Sequence, residues 1–435
     1  LTPADLSAAD QTPLQPLAEA ELTSEVVVIG AGIVGLGCAL MLQRQGREVL
    51  LLDRQGIAAE ASRGNAGAYA FSDVLPMASP GILAQVPRWL MDPLGPLALR
   101  PSYLPTLLPW LWRFWRASRP AAFAHSIQAQ VALMQLAAPA TQRLLQAAGA
   151  QHMLHSGGNL HLYESQSEWQ ASLPGWQLRA EHGISFEHAH GAEAIARWQP
   201  GLSLALVSAT FVPGWQTITD PLLLCQAVAA AFEAAGGRLR QATVQALQPA
   251  PGHVGLQLAD GRQVQAQHAV LAAGAWSHQL AATLGERIPL ETERGYNTTL
   301  PPGAFALQRQ LTFPGHGFVV TPIAGGVRVG GAVELAGLKA PPNYRRADVL
   351  LGKAQRFLPG LRSTGGTQWM GFRPSLPDSL PAIGPSRTDA RITHAFGHGH
   401  LGLTQSAATA EIVAALVAGQ RPPLSLQPFN PARFE

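Results

Sequence analysis

Glu25-Val26-Val27-Val28-Ile29-Gly30-Ala31-Gly32-Ile33-Val34-Gly35 is the stretch whose reading decides the fold of this chain. The β-branched run up to Ile29 predicts a strand. It leads directly into Gly30-Ala31-Gly32-Ile33-Val34-Gly35, and a helical pattern follows from Leu36 to Gln45, closed by Gly46. A second strand, Glu48 to Leu52, ends on Asp53, which lies 18 residues beyond Gly35. Glycines permit a tight turn and a close approach of backbone to phosphate. The helix N-terminus aims its free N–H groups at a pyrophosphate, and the acid meets ribose hydroxyls. Strand, turn, helix and acid in this register predict a dinucleotide-binding unit. Gly30, Ala31, Gly32, Ile33, Val34, Gly35, Asp53 and the adjacent Arg54 are its candidate cofactor-binding residues.

The fingerprint by itself does not separate FAD from NAD. The next segment, Glu60-Ala61-Ser62-Arg63-Gly64-Asn65-Ala66-Gly67, combines small residues with Ser and Asn. Such a loop admits a cofactor that stays bound and extends past its pyrophosphate, with Ser62, Arg63, Asn65, Ala66 and Gly67 as contacts. An ordinary polar loop has the same composition. No second complete set of strand, GxGxxG, helix and following acid occurs in the chain, and there is no internal repeat, which argues against a second nucleotide site for NAD(P)H.

Bulk properties narrow the class. A chain of 435 residues with 47% hydrophobic and 13% charged residues is globular, with ample apolar material for two domains or one composite one. The net charge is only +3 and no basic run occurs, so a nucleic-acid partner is not expected. The two cysteines, Cys38 and Cys225, both lie in apolar helical patterns, which excludes a cysteine-built metal site and fits a reducing, cytoplasmic compartment. No stretch approaches the roughly 18 apolar residues of a spanning helix. The nearest, Pro101 to Ala117, is broken by Pro105 and Pro109 and carries Arg113 and Arg116. Its aromatic residues fit a core or interface segment better than peripheral contact with the inner face of a membrane. Residues 1–21 read as a polar lead-in without the charged-then-apolar pattern of a secretory signal.

Further along, residues 121–150 carry a long helical pattern without strong caps, and Gly157 to Tyr163 is extended. Thr219-Asp220-Pro221 predicts an N-cap with proline in the first turn of a helix running to Ala235 and stopped by Gly236-Gly237. Extended segments follow from Gln241 to Leu247, Val254 to Leu258 and Gln263 to Gln267, separated by a Pro-Gly turn and by Asp260-Gly261, and then comes the apolar strand His268 to Ala272. This meander, ending in Ala273-Gly274-Ala275-Trp276, predicts a return to the nucleotide sheet.

Near the C-terminus, Gly397 to Gly402 precedes a helical pattern from Leu403 to Leu416. A glycine-rich start to a helix exposes unpaired amides and a positive dipole end. Arg373, in Gly371-Phe372-Arg373-Pro374, is a planar fork able to hold a carboxylate bidentately. Tyr296 is a candidate second ligand through its hydroxyl. His394, His398 and His400 invite a metal reading, but no cysteine or acidic cluster completes a tetrahedral set, so no metal is expected.

Taken together, these landmarks resemble the D-amino-acid oxidase/dehydrogenase superfamily, most closely its D-amino-acid dehydrogenase-like branch. The resemblance rests on the fingerprint, Glu60 to Gly67, Thr219-Asp220-Pro221, Ala272 to Trp276, Glu293-Arg294-Gly295-Tyr296, Gly330 to Glu334, Gly371 to Pro374, Pro377 to Pro381 and Gly397 to Thr404. It spans residues 22 to 434 in order. Asp53 stands where many relatives carry Glu, and neither cysteine falls at a covalent-flavin position, so the resemblance implies non-covalent FAD. It also implies an α/β plus α+β fold: a discontinuous Rossmann-type FAD-binding domain (22–82, 205–283 and 367–435) with an inserted substrate domain on a mixed or antiparallel sheet (83–204 and 284–366). Val244, Ala273, Gly274 and Trp276 join the cofactor set. Gly399, His400, Leu401, Gly402, Leu403 and Thr404 would lie at the flavin pyrimidine edge, where amides stabilise negative charge. Arg373 and Tyr296 would hold the substrate carboxylate, and His398 would orient backbone or meet the flavin edge. The implied reaction is hydride transfer from Cα of a free amino acid, a D-amino acid or cyclic imino acid, to flavin N5, with electrons passed to a quinone or other acceptor. An oxygen-using oxidase of glycine, sarcosine or hydroxyproline is the nearest alternative, and a flavin-binding docking protein without amine chemistry is the alternative from another class.

Overall fold

A computed structural model describes residues 13–82, 97–324 and 326–434. The strand Thr23–Ile29 is the centre of a sheet in which Arg238–Gln241, Val49–Asp53, Thr23–Ile29, Gln263–Leu271 and Ile392–Phe396 run parallel in that order. Alternation along the strand explains its apolar run. Val26 and Val28 pack on one side with the helices Ile33–Arg44, Pro221–Ala234 and Gly402–Val417. Val27 and Ile29 pack on the other side with the meander strands Val244–Ala250 and His253–Leu258. Both faces are covered over Val26–Ile29, so that part of the strand is wholly apolar. The meander joins through Gln263–Leu271, a single strand that pairs antiparallel near its start and parallel to Ile392–Phe396 near its end.

Asp220 caps its helix as expected. One carboxylate oxygen accepts from the N–H groups of Leu222 at 2.7 Å and Leu223 at 3.2 Å, with Pro221 at the first helical position. The long helix spans Pro120–Ala147 and passes through Pro139 without ending. The aromatic segment also departs from its expected break, because Leu104–Ala117 is one helix with Pro109 inside it. Leu107 and Trp110 are buried in a small cluster, whereas Leu108 and Trp112 are more than half exposed. It is therefore only half a core segment. No described helix is long and apolar enough to cross a membrane.

A second sheet orders the strands Thr367–Ser375, Glu291–Leu300, Gly326–Leu335, Phe318–Ile323, Gln310–Phe313, Asn159–Tyr163, Ser208–Val212 and Glu187–His190. It is mostly antiparallel. One face packs Val327, Val329, Phe318 and Val320 against the helix Arg345–Phe357. Ser208–Val212 and Thr367–Ser375 fall inside the segments expected to belong to the nucleotide domain, yet both pair in this second sheet. The pattern of a strand shows that it is a strand; its partner is set by long-range register, which local sequence does not carry.

Candidate active site

A cavity of about 1990 Å³ is lined from both sheets, and most of the expected site residues meet in its wall. At one end lies the glycine turn. Gly30 has φ +108°, and a Cβ there would stand 2.5 Å from the carbonyl oxygen of Ala272. A Cβ on Gly35 would stand 1.9 Å from the carbonyl oxygen of Gly30, so Gly35 serves the packing of helix on strand and does not line the cavity. Gly32 does line it, and a Cβ there would meet only the Ser62 hydroxyl, at 3.2 Å. Its backbone is open to a ligand.

Asp53 lines the same end. One carboxylate oxygen accepts from the N–H of Ala31 at 2.8 Å; the other accepts from Gln55 at 2.8 Å and Gly56 at 2.9 Å. A carboxylate has about four acceptor sites, so one direction is left for a ribose hydroxyl. Ala31 acts from behind through that bond and does not reach the wall. Ser62 accepts from the first helical N–H, that of Ile33, at 3.0 Å.

The loop 60–67 is fixed by groups that sequence reading did not single out. Arg328 donates to the carbonyl of Asn65 at 2.5 Å and to that of Arg63 at 3.4 Å, and Asn297 donates to the carbonyl of Gly64 at 2.9 Å. Asn65 itself accepts from the N–H of Gly67 at 2.8 Å. Arg63 and Gly67 thus shape the loop without lining the cavity, unlike Ser62, Asn65 and Ala66. Val244, Ala273, Gly274 and Trp276 line it from the meander side, where the Arg54 guanidinium lies 3.7 Å over the Trp276 ring and pairs with Glu60 at 2.5 Å.

The other end is built from the C-terminal turn and two neighbouring strands of the second sheet. Gly397 and Gly399 have φ of +85° and +53°, and Gly399, His400, Leu401, Gly402, Leu403 and Thr404 all line the wall. The 16-residue helix Gly402–Val417 has no side-chain cap, so its first amides are available. The two histidines of this turn part company. His398 is 4% exposed, its Nε2 lies 2.9 Å from the Thr409 hydroxyl, and burial pushes its pKa down to about 3. It lines the cavity as a neutral tie between turn and helix and not as a proton carrier. His400 is 37% exposed along its side chain, with Nε2 at 2.6 Å from the Glu293 carboxylate.

Glu293 and Arg373 face each other directly across the strand pair Glu291–Leu300 and Thr367–Ser375. Arg373 donates to the carbonyl of Ala332 at 2.9 Å. That is its one hydrogen bond among the described residues. Its guanidinium lies over Gly295, where a Cβ would come within 2.1 Å of a terminal nitrogen. Burial lowers the Arg373 pKa, and the adjacent Glu293 opposes that shift. For Glu293, burial works upward, but His400 and Arg373 outweigh it and hold the carboxyl below its ordinary range.

Tyr296 also lines the cavity, but its hydroxyl is engaged elsewhere. Its hydroxyl donates to Glu334 at 2.5 Å and accepts from the N–H of Asn343 at 3.0 Å, and its ring belongs to the apolar cluster behind the sheet. Residues two apart share a strand face, so Glu293, Gly295 and Asn297 look one way and Arg294 and Tyr296 the other. The hydroxyl is not free for a carboxylate.

A sequence model of the family described as FAD dependent oxidoreductase (DAO) matches residues 25–416. A D-amino-acid oxidase of Bradyrhizobium diazoefficiens is 36% identical over 422 residues, covering 94% of this chain and 98% of that protein. A D-amino acid dehydrogenase of Rhizobium johnstonii is 29% identical over 417 residues, covering 94% and 100%. Among solved structures, glycine oxidase from Geobacillus kaustophilus superposes with a TM-score of 0.72 at 20% identity, covering 94% of this chain and 99% of that one. Iminodiacetate oxidase from Chelativorans sp. BNC1 does so with a TM-score of 0.72 at 22% identity, covering 94% and 99%.

Proposed function

Since the chain belongs to the DAO family of FAD-dependent oxidoreductases, we propose that it oxidises a free amino acid, a D-amino acid or a cyclic imino acid, whose carboxylate Arg373 holds. The observation that carries this reading is the state of Arg373. It is a guanidinium facing a large cavity, desolvated, and bonded among the described residues to a single backbone carbonyl. Such a group strongly favours a bidentate anionic partner. A neutral amine substrate would offer it no bidentate partner.

The residues present fit FAD. The open backbone at Gly32 suits a pyrophosphate, Asp53 retains an acceptor site for the ribose, and the uncapped start of Gly402–Val417 suits the flavin. When bound, FAD supplies the hydride acceptor, and the protein supplies position and electrostatics. Arg373 fixes the carboxylate and so limits how Cα can be presented. The amides of Leu403 and Thr404 would offset charge that develops on the cofactor. Loss of a hydride and the amine proton gives an imine, which water converts to a 2-oxo acid.

As electron acceptor we favour a quinone or another non-oxygen acceptor. Both an oxidase and a dehydrogenase stand among the relatives by name, so peroxide formed per turnover is the deciding measurement. The whole reading is tested by anaerobic bleaching of the bound flavin with D- and L-amino acids, glycine, N-methylglycine and hydroxyprolines, each beside its decarboxylated amine. Reduction by amino acids and not by the amines is expected. Equal reduction by both, or by neither, overturns it.

A further inference from the structure

Glu293 is an anomaly in a site that binds carboxylates. It is a carboxylate itself, 4% exposed, placed directly across from the arginine meant for the substrate. No described ion pair joins it to Arg373; its short contact is with His400 Nε2, at 2.6 Å. An ionised Glu293 keeps the imidazole proton on Nε2, which leaves the Nδ1 lone pair bare. Nδ1 has no partner among the described residues, and His400 lines the cavity together with Glu293 and Arg373.

We infer that His400, oriented by Glu293, is the base that removes the proton from the substrate ammonium. This rests on the amino-acid reading above. A zwitterion carries its two charges a few bonds apart, and the site offers a matching pair. Arg373 takes the anion, and the Glu293–His400 pair, in the wall of the same cavity, is there to meet the cation. Among the described residues, these other charged or titratable groups stand on the elements beside His400. From the strand Glu291–Leu300 come Glu293 and, two residues away, Glu291, whose carboxyl burial raises. From Thr367–Ser375 comes Arg373. From its own turn comes His398, held neutral. Two of these carry the argument: Glu293 fixes the tautomer of the imidazole, and Arg373 marks the carboxylate end of the substrate.

The step balances as follows. One N–H bond of the ammonium breaks, its proton goes to His400 Nδ1, and the electron pair stays on nitrogen. That pair then forms the C=N bond as the Cα–H bond breaks and hydride leaves toward the bound FAD. A proton and a hydride have left the substrate, a two-electron oxidation. His400 is the catalytic residue of this step, and Glu293 is a positioning residue that fixes the tautomer and stabilises the imidazolium.

The test uses the FAD-loaded protein and D-alanine, mixed anaerobically over a range of pH. In the wild type, flavin reduction should rise with pH and level off well below the ionisation of the free ammonium. In His400→Gln, reduction near neutral pH should fall on the order of 10²-fold, and the rise should move to alkaline pH. Imidazole added to His400→Ala should restore the neutral-pH rate, which a structural role would not predict. Glu293→Gln keeps an acceptor for Nε2–H but removes the charge, so the rise should move to lower pH and the plateau should drop. A second readout needs no turnover. In ¹⁵N-histidine-labelled, substrate-free protein, the signal lost in His400→Gln should report a protonated Nε2 and a bare Nδ1. Unmoved pH profiles in all three variants, or the opposite tautomer, overturn the assignment while leaving the substrate class intact. If D-alanine fails, the fastest compound of the panel replaces it, and a panel without any reducing amino acid overturns both.

Discussion

Gly295→Ala is the sharpest perturbation of the proposed carboxylate site. Gly295 lies in the strand Glu291–Leu300 with ordinary strand geometry, so alanine fits its backbone. The added Cβ would stand 2.1 Å from a terminal nitrogen of Arg373, whereas ordinary contact begins at 3.4 Å, so the guanidinium must retreat by about 1.3 Å, the difference of the two. What moves is the far end of a flexible side chain, so the fold should lose little. The loss should fall on the substrate. A misplacement on the order of 1 Å costs about 10²-fold in a positioned reaction, and removing a buried charge-assisted contact outright costs about 2–5 kcal/mol. Gly295→Ala should therefore lower the ratio of flavin reduction rate to substrate dissociation constant by about 10²-fold for an amino acid, and Arg373→Ala by more. Arg373→Lys should recover only part, since a point charge does not reproduce the fork. The assay is anaerobic stopped-flow reduction with an amino acid and its decarboxylated amine, in the single variants and in the double. Because the alanine acts through the guanidinium, it should cost nothing further in an Arg373→Ala background. Equal losses with and without Arg373, or equal losses for the acid and the amine, would refute the reasoning.

Acid precipitation should release FAD from the polypeptide, because Cys38 and Cys225 are buried thiols whose pKa values burial raises, that of Cys38 to about 12. Flavin absorbance left on the washed pellet would show a covalent link. Gly32→Val should fold but purify without cofactor: its Cβ has room beside Ser62, while its branched methyls enter the pyrophosphate end of the cavity. A fully yellow preparation would displace the site. Stability should fall on acidification partly through His398, whose pKa drops from 6.5 to about 3 on folding. The unfolded chain takes up the proton below about pH 6.5 and the folded chain does not, so folding loses on the order of 2 kcal/mol from about pH 7 to pH 5. Urea titrations of His398→Gln should show a shallower pH dependence over that window, and an unchanged slope would mean the ring is protonated in the fold.

What the sequence made legible was local. The turn at Gly30–Gly35 needs its glycines within a few residues of one another, so its pattern and its structure coincide. The cap at Asp220 is of the same kind. Where sequence reading fell short, the deciding partner was distant. Tyr296 was the natural candidate in Glu293-Arg294-Gly295-Tyr296 because it carries a hydroxyl, yet alternation alone places it on the opposite face from Gly295. Choosing between the faces requires knowing that Arg373 pairs with Glu293, 80 positions earlier. The clamps on the loop 60–67, from Arg328 and Asn297, span 263 and 233 residues, and both look like ordinary polar residues on a strand.

The two histidines of the C-terminal turn carry this furthest. Gly397-His398-Gly399-His400 reads as a symmetrical pair, and nothing local distinguishes its members. The positive φ at Gly397 and at Gly399 turns the chain twice, so the rings diverge. One reaches forward 11 residues to Thr409 inside the helix and is desolvated into neutrality. The other reaches across to Glu293, 107 residues earlier, in the wall of the cavity. Exchanging the two roles would put a buried imidazole without a charge partner at the substrate and a carboxylate against the inside of a helix. Desolvation thus holds one histidine neutral, and the other is tied to a carboxylate that no spacing in the turn reveals.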